Sequence, residues 1–500
     1  MTRSATAIAV LGGALLGAAY SSMEWAWPGA FLGVAALAWS LDQSESYADA
    51  ALLSAAFGWA GYVAGFFWLQ PALGSFWGGQ TALSWGVWLA WGAWVALRFV
   101  IIGAGWATLR ARGLGVLLSL VLPWVTVEWI YPAVFPFYLA NPLIGWTSMA
   151  QLAALGGPLL LSAWICCVSA VVAAIASSAA RRAPFPRREL GVVLITSFAA
   201  LVYGEVRTKA LDSELADADG LTVGVVQANV DVMAKRTERA LSHRRHLEQS
   251  ASMLSRADID LVIWPETSYL YALPRAIPTS GTAVRAELRT PLLFGGIRKD
   301  DDGRRFNSAL LIGPDGMIGS AYDKRFLIPF AEFVPLGDRL SWWNETAPTL
   351  SHFDAGGDPV ALELGDWRIA TPICYETIRA GYVRALVRAT RAQLLVSLTN
   401  DGWFGDSPEP RIHLQLARLR AIEQGRYLVR ATNTGISAIV DPLGRVVQNT
   451  KTFDAANLVG EVYMLSGTTL YAVAGDWPGY LSALAWALLL ARRRRGWRWH

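Results

Sequence analysis

The sequence predicts a multispan α-helical membrane domain joined to an α/β domain that lies in water. Hydrophobic residues make up 54% of the 500 residues and charged residues 16%, a composition typical of membrane proteins. Long apolar runs fill residues 1–205, whereas most of the Asp, Glu, Lys and Arg lie within 207–465. Short β-rich runs alternate with helical patterns in this second part, which indicates an α/β architecture.

Apolar stretches in the first part and at the end of the chain predict eight transmembrane helices, since a spanning helix needs about 20 mostly apolar residues. Arg3 before the first stretch resembles the start of a signal peptide, but the spans that follow favour a retained helix. We expect a membrane domain of seven spans over 1–206 and a last span with a basic tail over 471–500. The predicted spans are 5–21, 27–41, 50–70, 84–108, 114–133, 150–178, 190–205 and 477–491.

Arginines outside the spans predict the orientation, because Lys and Arg of short loops stay on the cytoplasmic side. The loops 22–27, 71–83 and 134–149 carry no Lys or Arg. Both termini are therefore expected in the cytoplasm, and the block 207–470 on the outer face. If all eight spans are real, the arginines of the remaining loops and of the two termini all fall on the same side of the membrane. They are Arg3, Arg110, Arg112, Arg181, Arg182, Arg187, Arg188 and Arg492 to Arg495.

The block 207–470 has the pattern of layered sheets and helices. Turn sequences at 314–316 and 441–444 mark hairpins. Helical patterns separate several β-rich runs, at 236–255, 377–390 and 411–424. The predicted strands are short runs rich in β-branched and aliphatic residues, at 221–227, 260–265, 291–297, 307–313, 367–373 and 393–399.

Composition argues against several classes of function. The net charge of +4 does not indicate nucleic acid, because the block 207–470 has no basic stripe with interleaved aromatic residues. Three cysteines, of which Cys166 and Cys167 are adjacent, do not build a disulfide framework. Five histidines without HExxH or paired-cysteine spacing indicate no metal site, and we expect no other cofactor.

Cys374 stands apart from the other two cysteines. In TPICYETI (371–378) it follows a strand-like segment and precedes a helical pattern, a position that helps to lower a thiol pKa or to remove the thiol proton. Glu266 in VIWPETS also follows a strand, and Lys324 opens the proline-interrupted stretch YDKRFLIPFAEFVPLG. A lone cysteine is more commonly a buried structural residue, but the companion Glu and Lys favour a catalytic nucleophile.

These three motifs together resemble the nitrilase superfamily, and PFAEFVPLG, ICYE and NDGWFG (400–405) resemble its apolipoprotein N-acyltransferase family. The resemblance covers nearly the whole chain, including GDWP at 475–478 before the last span. It implies an αββα sandwich that carries a Glu, Lys, Cys triad. By matched position, Cys374 would hold an acyl chain as a thioester, Glu266 would be the general base, and Lys324 would stabilise the oxyanion.

The resemblance also implies supporting residues. Glu332 matches a second carboxylate of the family, and the backbone N–H of Tyr375 is the natural second oxyanion donor. Glu376 is expected to be either a participant in the chemistry or a salt-bridge partner. One of the aromatic stretches 326–330, 341–345 and 401–405 is expected to be a mobile arm. The residues expected to shape the substrate pocket are Phe330, Trp342, Asn400 and Trp403.

Two further polar residues have either a structural or a functional role. His413 has a helical spacing that suits packing, so a structural role is expected for it. Glu128 lies inside an apolar span, where a carboxylate is costly and therefore a functional candidate. Its alternative role is a bond to a neighbouring helix.

The resemblance implies transfer of an acyl chain from a membrane phospholipid to the α-amino group of the diacylglyceryl-cysteine of an apolipoprotein, which completes lipoprotein maturation. It implies a multi-pass protein of the bacterial inner membrane with a periplasmic catalytic domain, and we expect a monomer. The alternatives are a membrane-anchored amidase or nitrilase that hydrolyses a small C–N bond, and a non-catalytic scaffold. Aromatic apolar loops and eight spans favour the transferase, and the intact triad argues against the scaffold.

Overall fold

The computed structural model describes residues 2–21, 24–76, 79, 81–231, 237–329, 331–333 and 352–491. The chain divides into two compact units. The first comprises Met1–Pro71, Thr81–Thr208 and Val473–His500, and the second comprises Ala72–Gln80 and Lys209–Ala472. The described strands all belong to the second unit.

Apolar helices dominate the first part of the chain and its end. Seven of the eight predicted spans overlap one of the apolar helices named next, and the span 50–70 overlaps Tyr47–Phe66. Among the described residues, four helices are long and apolar enough to cross a membrane, namely Arg3–Tyr20, Thr81–Arg110, Ala153–Arg181 and Arg187–Ala216. Pro28–Asp42, Val116–Ile130 and Trp477–Ala491 are shorter apolar helices. Several apolar helices therefore fit a membrane domain. The other helical segments are Glu24–Ala26, Tyr47–Phe66, Leu69–Phe76, Asn141–Gly145 and Thr147–Ala150.

Glycines bring the helices Arg3–Tyr20 and Tyr47–Phe66 into close contact. A Cβ atom added at Gly17 would lie 2.3 Å from the carbonyl oxygen of Gly61 and 2.8 Å from the nitrogen of Gly65. Small residues let helix backbones approach in a membrane, where apolar side chains gain little by leaving the lipid. The missing side chain of Gly17 therefore allows this helix pair to form.

Glu128 is paired inside the helical unit. Its Oε1 atom lies 3.1 Å from Arg98 Nη2 and accepts a hydrogen bond from the Leu139 backbone N–H at 2.6 Å. Arg98 also donates to the carbonyl oxygen of Phe137 at 3.2 Å. A buried carboxylate needs such partners, because an unpaired charge in this setting costs several kcal/mol. The bond to a neighbouring segment, one of the two roles expected for Glu128, is confirmed.

The described part of the second unit contains two β-sheets. One sheet has the strand order β14-β1-β2-β5-β6-β7-β4, with β3 beside β5, and the other has the order β13-β12-β11-β10-β9-β8. The strands, numbered along the chain, are β1 Gly220–Gln227, β2 Leu261–Ile263, β3 Tyr269–Pro274, β4 Thr279–Ser280, β5 Leu292–Lys299, β6 Arg305–Ile312, β7 Met317–Asp323, β8 Leu362–Leu364, β9 Trp367–Ala370, β10 Leu394–Thr399, β11 Leu428–Thr432, β12 Ala438–Val440, β13 Val446–Asn449 and β14 Ala456–Tyr463.

Helices lie outside the two sheets, and the αββα order implied by the resemblance is present. One buried cluster joins Val223 of β1 to Leu395 of β10 and also includes Leu386 and Ala417 from helices. A second cluster packs Met253 against the other face of the first sheet. The six predicted strands are all confirmed. The helical segments of this unit are Arg239–Leu254, Thr282–Arg285, Cys374–Ile378, Ala380–Thr390, Asp401–Phe404, Glu409–Gln424 and Leu470–Ala474.

Parallel strand pairs form the centre of both sheets. β1 pairs with β2 and β2 with β5 in parallel, and β10 is parallel to both β9 and β11. Parallel strands end at the same sheet edge, and functional side chains of open α/β sheets commonly follow these carboxyl ends. Glu266 follows β2 and Cys374 follows β9, so both residues lie just beyond such ends.

Gly17→Ala is expected to lower the thermal unfolding midpoint, because the added methyl group meets backbone atoms that move only if the two helices separate. Gly86→Ala is the matched control. Gly86 is also helical, no described heavy atom lies within 4 Å of its added Cβ, and alanine there favours the helix by about 1 kcal/mol. Thermal unfolding of the two detergent-solubilised variants gives both midpoints. Equal midpoints for the two variants would contradict the close contact.

Candidate active site

Glu266, Lys324 and Glu332 meet in one buried hydrogen-bonded set. Lys324 Nζ lies 2.9 Å from Oε1 and 2.8 Å from Oε2 of Glu332, and 3.4 Å from Glu266 Oε1. Asn307 Nδ2 donates to Glu266 Oε1 at 2.7 Å and to Glu332 Oε1 at 3.2 Å. The structure therefore brings Glu266 to Lys324 and Glu332, which lie 58 or more positions further along the chain, and Asn307 bridges the two carboxylates.

Lys324 holds a permanent positive charge in this set. Its side chain is 1% exposed, and burial alone would lower its pKa. The carboxylates of Glu332 and Glu266 outweigh burial and raise the pKa of Lys324 above its ordinary value. An ammonium group in such a site is stable only when it is paired and hydrogen-bonded. Lys324 is thus a fixed cation rather than a proton donor at neutral pH.

Cys374 begins the short 3₁₀ helix Cys374–Ile378, shortly after β9. Its φ angle is +50°, a left-handed conformation that costs a residue other than glycine about 1–3 kcal/mol. Such strain persists only where the surrounding structure holds the residue in place. The strained residue is therefore the one whose thiol is affected by the charges of Glu266 and Lys324.

Burial raises the pKa of the Cys374 thiol well above its ordinary value, the charge of Glu266 adds to this effect, and Lys324 opposes it. The expectation that the position of Cys374 lowers its pKa is therefore wrong, because loss of hydration outweighs the nearby cation. At neutral pH the side chain is a thiol. A nucleophilic role for Cys374 would therefore require a base that takes the thiol proton.

Glu376 joins the segment after β7 to the segment that carries Cys374. Burial raises the pKa of Glu376, and the side chain is fully buried. Four donors satisfy its two oxygens: the Tyr322 hydroxyl at 2.6 Å and the backbone N–H groups of Arg325 at 2.7 Å, Phe326 at 3.0 Å and Ile373 at 2.8 Å.

Of the other predicted site residues, three belong to the described residues and two lie outside them. The Tyr375 hydroxyl accepts a hydrogen bond from Arg379 Nη1 at 3.2 Å. Asn400 is buried, and its Oδ1 accepts a hydrogen bond from Asn433 Nδ2 at 3.4 Å. Trp403 is half-buried in the 3₁₀ helix Asp401–Phe404. The two predicted residues outside the described residues are Phe330 and Trp342.

Two contacts of the candidate site were not anticipated from the sequence. Asn307 opens the run NSALLIG, which predicts a strand and gives no sign of a bond to Glu266. His413 Nε2 lies 3.3 Å from the carbonyl oxygen of Cys374, although these residues are 39 positions apart. In the sequence, Asn307 is recognisable only as a polar residue at the start of a predicted strand. His413 is recognisable only as a histidine within a helical pattern.

Asp401, Glu409 and His413 form the group of described residues whose potential metal-ligating atoms all lie within 4.8 Å of one another. His413 Nδ1 is 3.1 Å from Asp401 Oδ1 and 3.3 Å from Glu409 Oε1. Arg430 Nη2 lies 2.7 Å from Asp401 Oδ2. Its guanidinium neutralises one carboxylate and would repel a metal cation. The arrangement therefore suits a shared proton better than a metal ion.

The fold and the site define a nitrilase-type carbon-nitrogen hydrolase domain linked to a helical membrane domain. The carbon-nitrogen hydrolase family profile matches residues 222–462, and the profile of the apolipoprotein N-acyltransferase N-terminal domain matches residues 12–171. The chain belongs to the apolipoprotein N-acyltransferase family.

Relatives resemble the chain over almost its full length. The apolipoprotein N-acyltransferase of Azotobacter vinelandii is 31% identical over 526 aligned positions, which cover 98% of this chain and 95% of that protein. The Rhodopseudomonas palustris relative of the same name is 32% identical, with 97% and 95% covered. Among solved structures, a Saccharomyces cerevisiae member of nitrilase branch 10 has 17% identity and a TM-score of 0.38, covering 55% of this chain and 97% of that chain.

Glu376→Gln is expected to lower the thermal unfolding midpoint. Glutamine places an NH₂ group where a carboxylate oxygen accepts hydrogen bonds, and an unsatisfied buried polar group costs about 1–3 kcal/mol. Glu363→Gln is the matched control, since Glu363 is exposed on β8. Thermal unfolding of both variants gives the comparison. If Glu376→Gln unfolds at the midpoint of the control, Glu376 does not hold the two segments together.

Proposed function

We propose that Cys374 carries an acyl chain as a thioester while the chain N-acylates apolipoproteins. The donor is a membrane phospholipid, and the acceptor is the α-amino group of the diacylglyceryl-cysteine at the start of an apolipoprotein. The chain is an acyltransferase of lipoprotein biosynthesis, and its family supports both substrates. The observation that carries the catalytic assignment is the buried set of Glu266, Lys324 and Glu332, whose charges act on the Cys374 thiol.

In the first half-reaction Glu266 accepts the Cys374 thiol proton as the sulfur attacks the phospholipid ester carbonyl. The tetrahedral intermediate then collapses, the C–O bond to the glycerol oxygen breaks, and Glu266 returns the proton to that oxygen. Lysophospholipid leaves, and the acyl chain remains on sulfur. A general base is required because the raised thiol pKa leaves little thiolate at neutral pH.

In the second half-reaction the neutral α-amino group of the acceptor attacks the thioester carbonyl. Glu266 removes a proton from the attacking nitrogen, the C–S bond breaks, and the proton returns to the Cys374 sulfur. The products are an N-acylated apolipoprotein and the free thiol. The same residue therefore serves as base and acid in both halves of a ping-pong cycle.

Lys324 stabilises the oxyanion in both halves, and the backbone N–H of Tyr375 is the second donor. The ammonium is fixed in place before the reaction, so little reorganisation accompanies the development of charge. One such preorganised donor lowers a barrier by about 3–4 kcal/mol. Glu332 and Asn307 hold Lys324 and Glu266 in this arrangement through their hydrogen bonds.

A membrane frame suits this chemistry, because each CH₂ that leaves the bilayer costs about 0.8 kcal/mol. We place the eight predicted spans in a bacterial inner membrane, with both termini in the cytoplasm and the catalytic domain, 207–470, on the periplasmic face. The flanking domains are 1–206 and 471–500. The charge distribution of the short loops supports this orientation. We further propose that the chain acts as a monomer and has no nucleic acid partner.

The pocket for the acyl chain is assigned to four aromatic and polar residues. Asn400 and Trp403 precede the helix that contains His413, which contacts the Cys374 carbonyl oxygen. Phe330 and Trp342 belong to the stretches that follow Lys324 in the sequence. We propose that these residues shape the pocket and that one of the aromatic stretches moves over it.

Incubation with a phospholipid that carries a labelled acyl chain is expected to leave a hydroxylamine-sensitive label on the protein. Cys374→Ala abolishes this label, whereas Cys167→Ala, the matched control in an apolar helix, retains it. Glu266→Gln is expected to slow labelling by about 10²- to 10⁴-fold, the usual contribution of a general base. Labelling of Cys374→Ala at the wild-type level would refute the thioester.

The fate of the label separates acyl transfer from hydrolysis. A transferase passes the labelled chain to a diacylglyceryl lipopeptide and releases little free fatty acid. An amidase or nitrilase of the same fold would pass the chain to water and would cleave small amides. Release of fatty acid at the rate of lipopeptide acylation would favour the hydrolase.

The proposed orientation predicts which introduced cysteines react with a membrane-impermeant maleimide in intact spheroplasts. Asp302→Cys lies in the catalytic unit, where the Asp302 side chain is 78% exposed, and is expected to react. Arg187→Cys lies in a predicted cytoplasmic loop and is expected to react only after permeabilisation. The wild-type chain, with three native cysteines, gives the background. The opposite labelling pattern would show that the orientation is the reverse of the proposed one.

A further inference from the structure

His413 donates a hydrogen bond to the backbone of the nucleophile. Its Nε2 atom lies 3.3 Å from the carbonyl oxygen of Cys374, and the His413 residue is 5% exposed. A carbonyl oxygen only accepts hydrogen bonds, so the Nε2 atom must carry a proton. This contact fixes one of the two ring nitrogens as a donor.

The other ring nitrogen of His413 faces two carboxylates. Nδ1 lies 3.1 Å from Asp401 Oδ1 and 3.3 Å from Glu409 Oε1. A lone pair on Nδ1 would point at these negative charges, whereas a proton there satisfies them. Arg430, at 2.7 Å, binds the other oxygen of Asp401. An imidazolium, a guanidinium and two carboxylates make a buried cluster with no net charge.

The proton equilibria agree with this geometry. Burial and Arg430 lower the pKa of His413, but the carboxylates of Asp401 and Glu409 outweigh them and raise it. Burial and the charge of Asp401 raise the pKa of Glu409 to about 7. Both shifts therefore favour retention of the proton that lies between Nδ1 and the carboxylates.

The contact acts on more than the carbonyl group. The C=O of Cys374 and the N–H of Tyr375 belong to one planar trans peptide unit and point in opposite directions. A donor that holds the oxygen therefore also sets the direction of the N–H. A cation at the oxygen end polarises the peptide, which makes the N–H a stronger donor. Cys374 also needs external support, because its φ angle is +50°.

We propose that His413, as an imidazolium, is a positioning residue that holds the Cys374 carbonyl oxygen and so directs the Tyr375 N–H at the oxyanion. The inference rests on the proposed function, in which Cys374 is the nucleophile. His413 touches neither substrate nor the reacting atoms. Its effect falls on the rate of thioester formation and not on the affinity for the donor.

The proposal has a defined pH dependence. A raised folded-state pKa means that the imidazolium is present at low pH and is lost as the pH rises through that value. The groups that face the ring are Asp401 from its 3₁₀ helix, Glu409 from the ring's own helix, Arg430 from β11 and the Cys374 carbonyl. After the proton is lost, Nδ1 repels the two carboxylates, and the Nε2 contact weakens. We expect thioester formation to decline on the alkaline side.

Two substitutions separate this role from packing. In His413→Gln the amide nitrogen takes the place of Nε2 and still reaches the Cys374 carbonyl oxygen. In His413→Asn the amide nitrogen takes the place of Nδ1, keeps the bond to Asp401 and loses the nucleophile. The measurements are single-turnover labelling by the acyl-labelled phospholipid, KM for that donor, and thermal unfolding of the full-length protein in detergent.

His413→Asn is expected to slow labelling by about 10- to 100-fold, as for other losses of preorganised geometry, with KM for the donor changed less than about 2-fold. His413→Gln is expected to recover most of the rate and to lose the alkaline decline, because its amide does not titrate. The positioning role is refuted if His413→Asn is labelled as fast as the wild type. It is also refuted if the labelling rates of both variants fall in proportion to the decrease in their thermal unfolding midpoints.

The same experiment distinguishes this inference from the assignment of Cys374. If the wild type takes no label, or if Cys374→Ala takes as much label as the wild type, the proposed function fails. If Cys374→Ala alone loses the label and both His413 variants keep the wild-type rate and pH profile, only the present inference fails.

Discussion

The buried ammonium of Lys324 is the constraint on which the rest of the site depends. A cation removed from water requires opposite charges at short range, and Glu332 and Glu266 supply them. Those carboxylates in turn need a donor between them, which is Asn307 on β6. The result is a rigid polar set inside an apolar sandwich. Its rigidity is useful because an oxyanion site works best when its charge does not have to move.

Burial surrounds the Lys324 ammonium and also disfavours the thiolate form of Cys374. Loss of hydration raises the thiol pKa, and the negative charge of Glu266 adds to it. The site therefore favours coupled proton transfer over a preformed ion pair. A neutral thiol is also less prone to oxidation and other side reactions than a free thiolate.

Cys374 is held from two sides of its backbone. Glu376 accepts a hydrogen bond from the N–H of Ile373, the preceding residue, and ties that segment to Arg325 and Phe326, next to Lys324. His413 holds the peptide that follows. A strained left-handed residue thus lies between two anchors, each of which uses a buried ionisable side chain. The hydrogen bonds of these two side chains favour one conformation of the Cys374 backbone.

The sequence by itself determined the two-part architecture, six strands of the sandwich and the layered fold, and its motifs predicted the Glu, Lys, Cys set. These features follow from local information: apolar length, β-rich runs, prolines, and short motifs in a fixed order. Only the tertiary structure decided that Asn307 bridges two carboxylates, that burial raises the Cys374 pKa, and that His413 reaches the Cys374 carbonyl. Each of these depends on side chains from separate strands and helices meeting out of water. The strength of a charge or hydrogen bond there is set by its neighbours and by burial, which no local stretch of sequence contains.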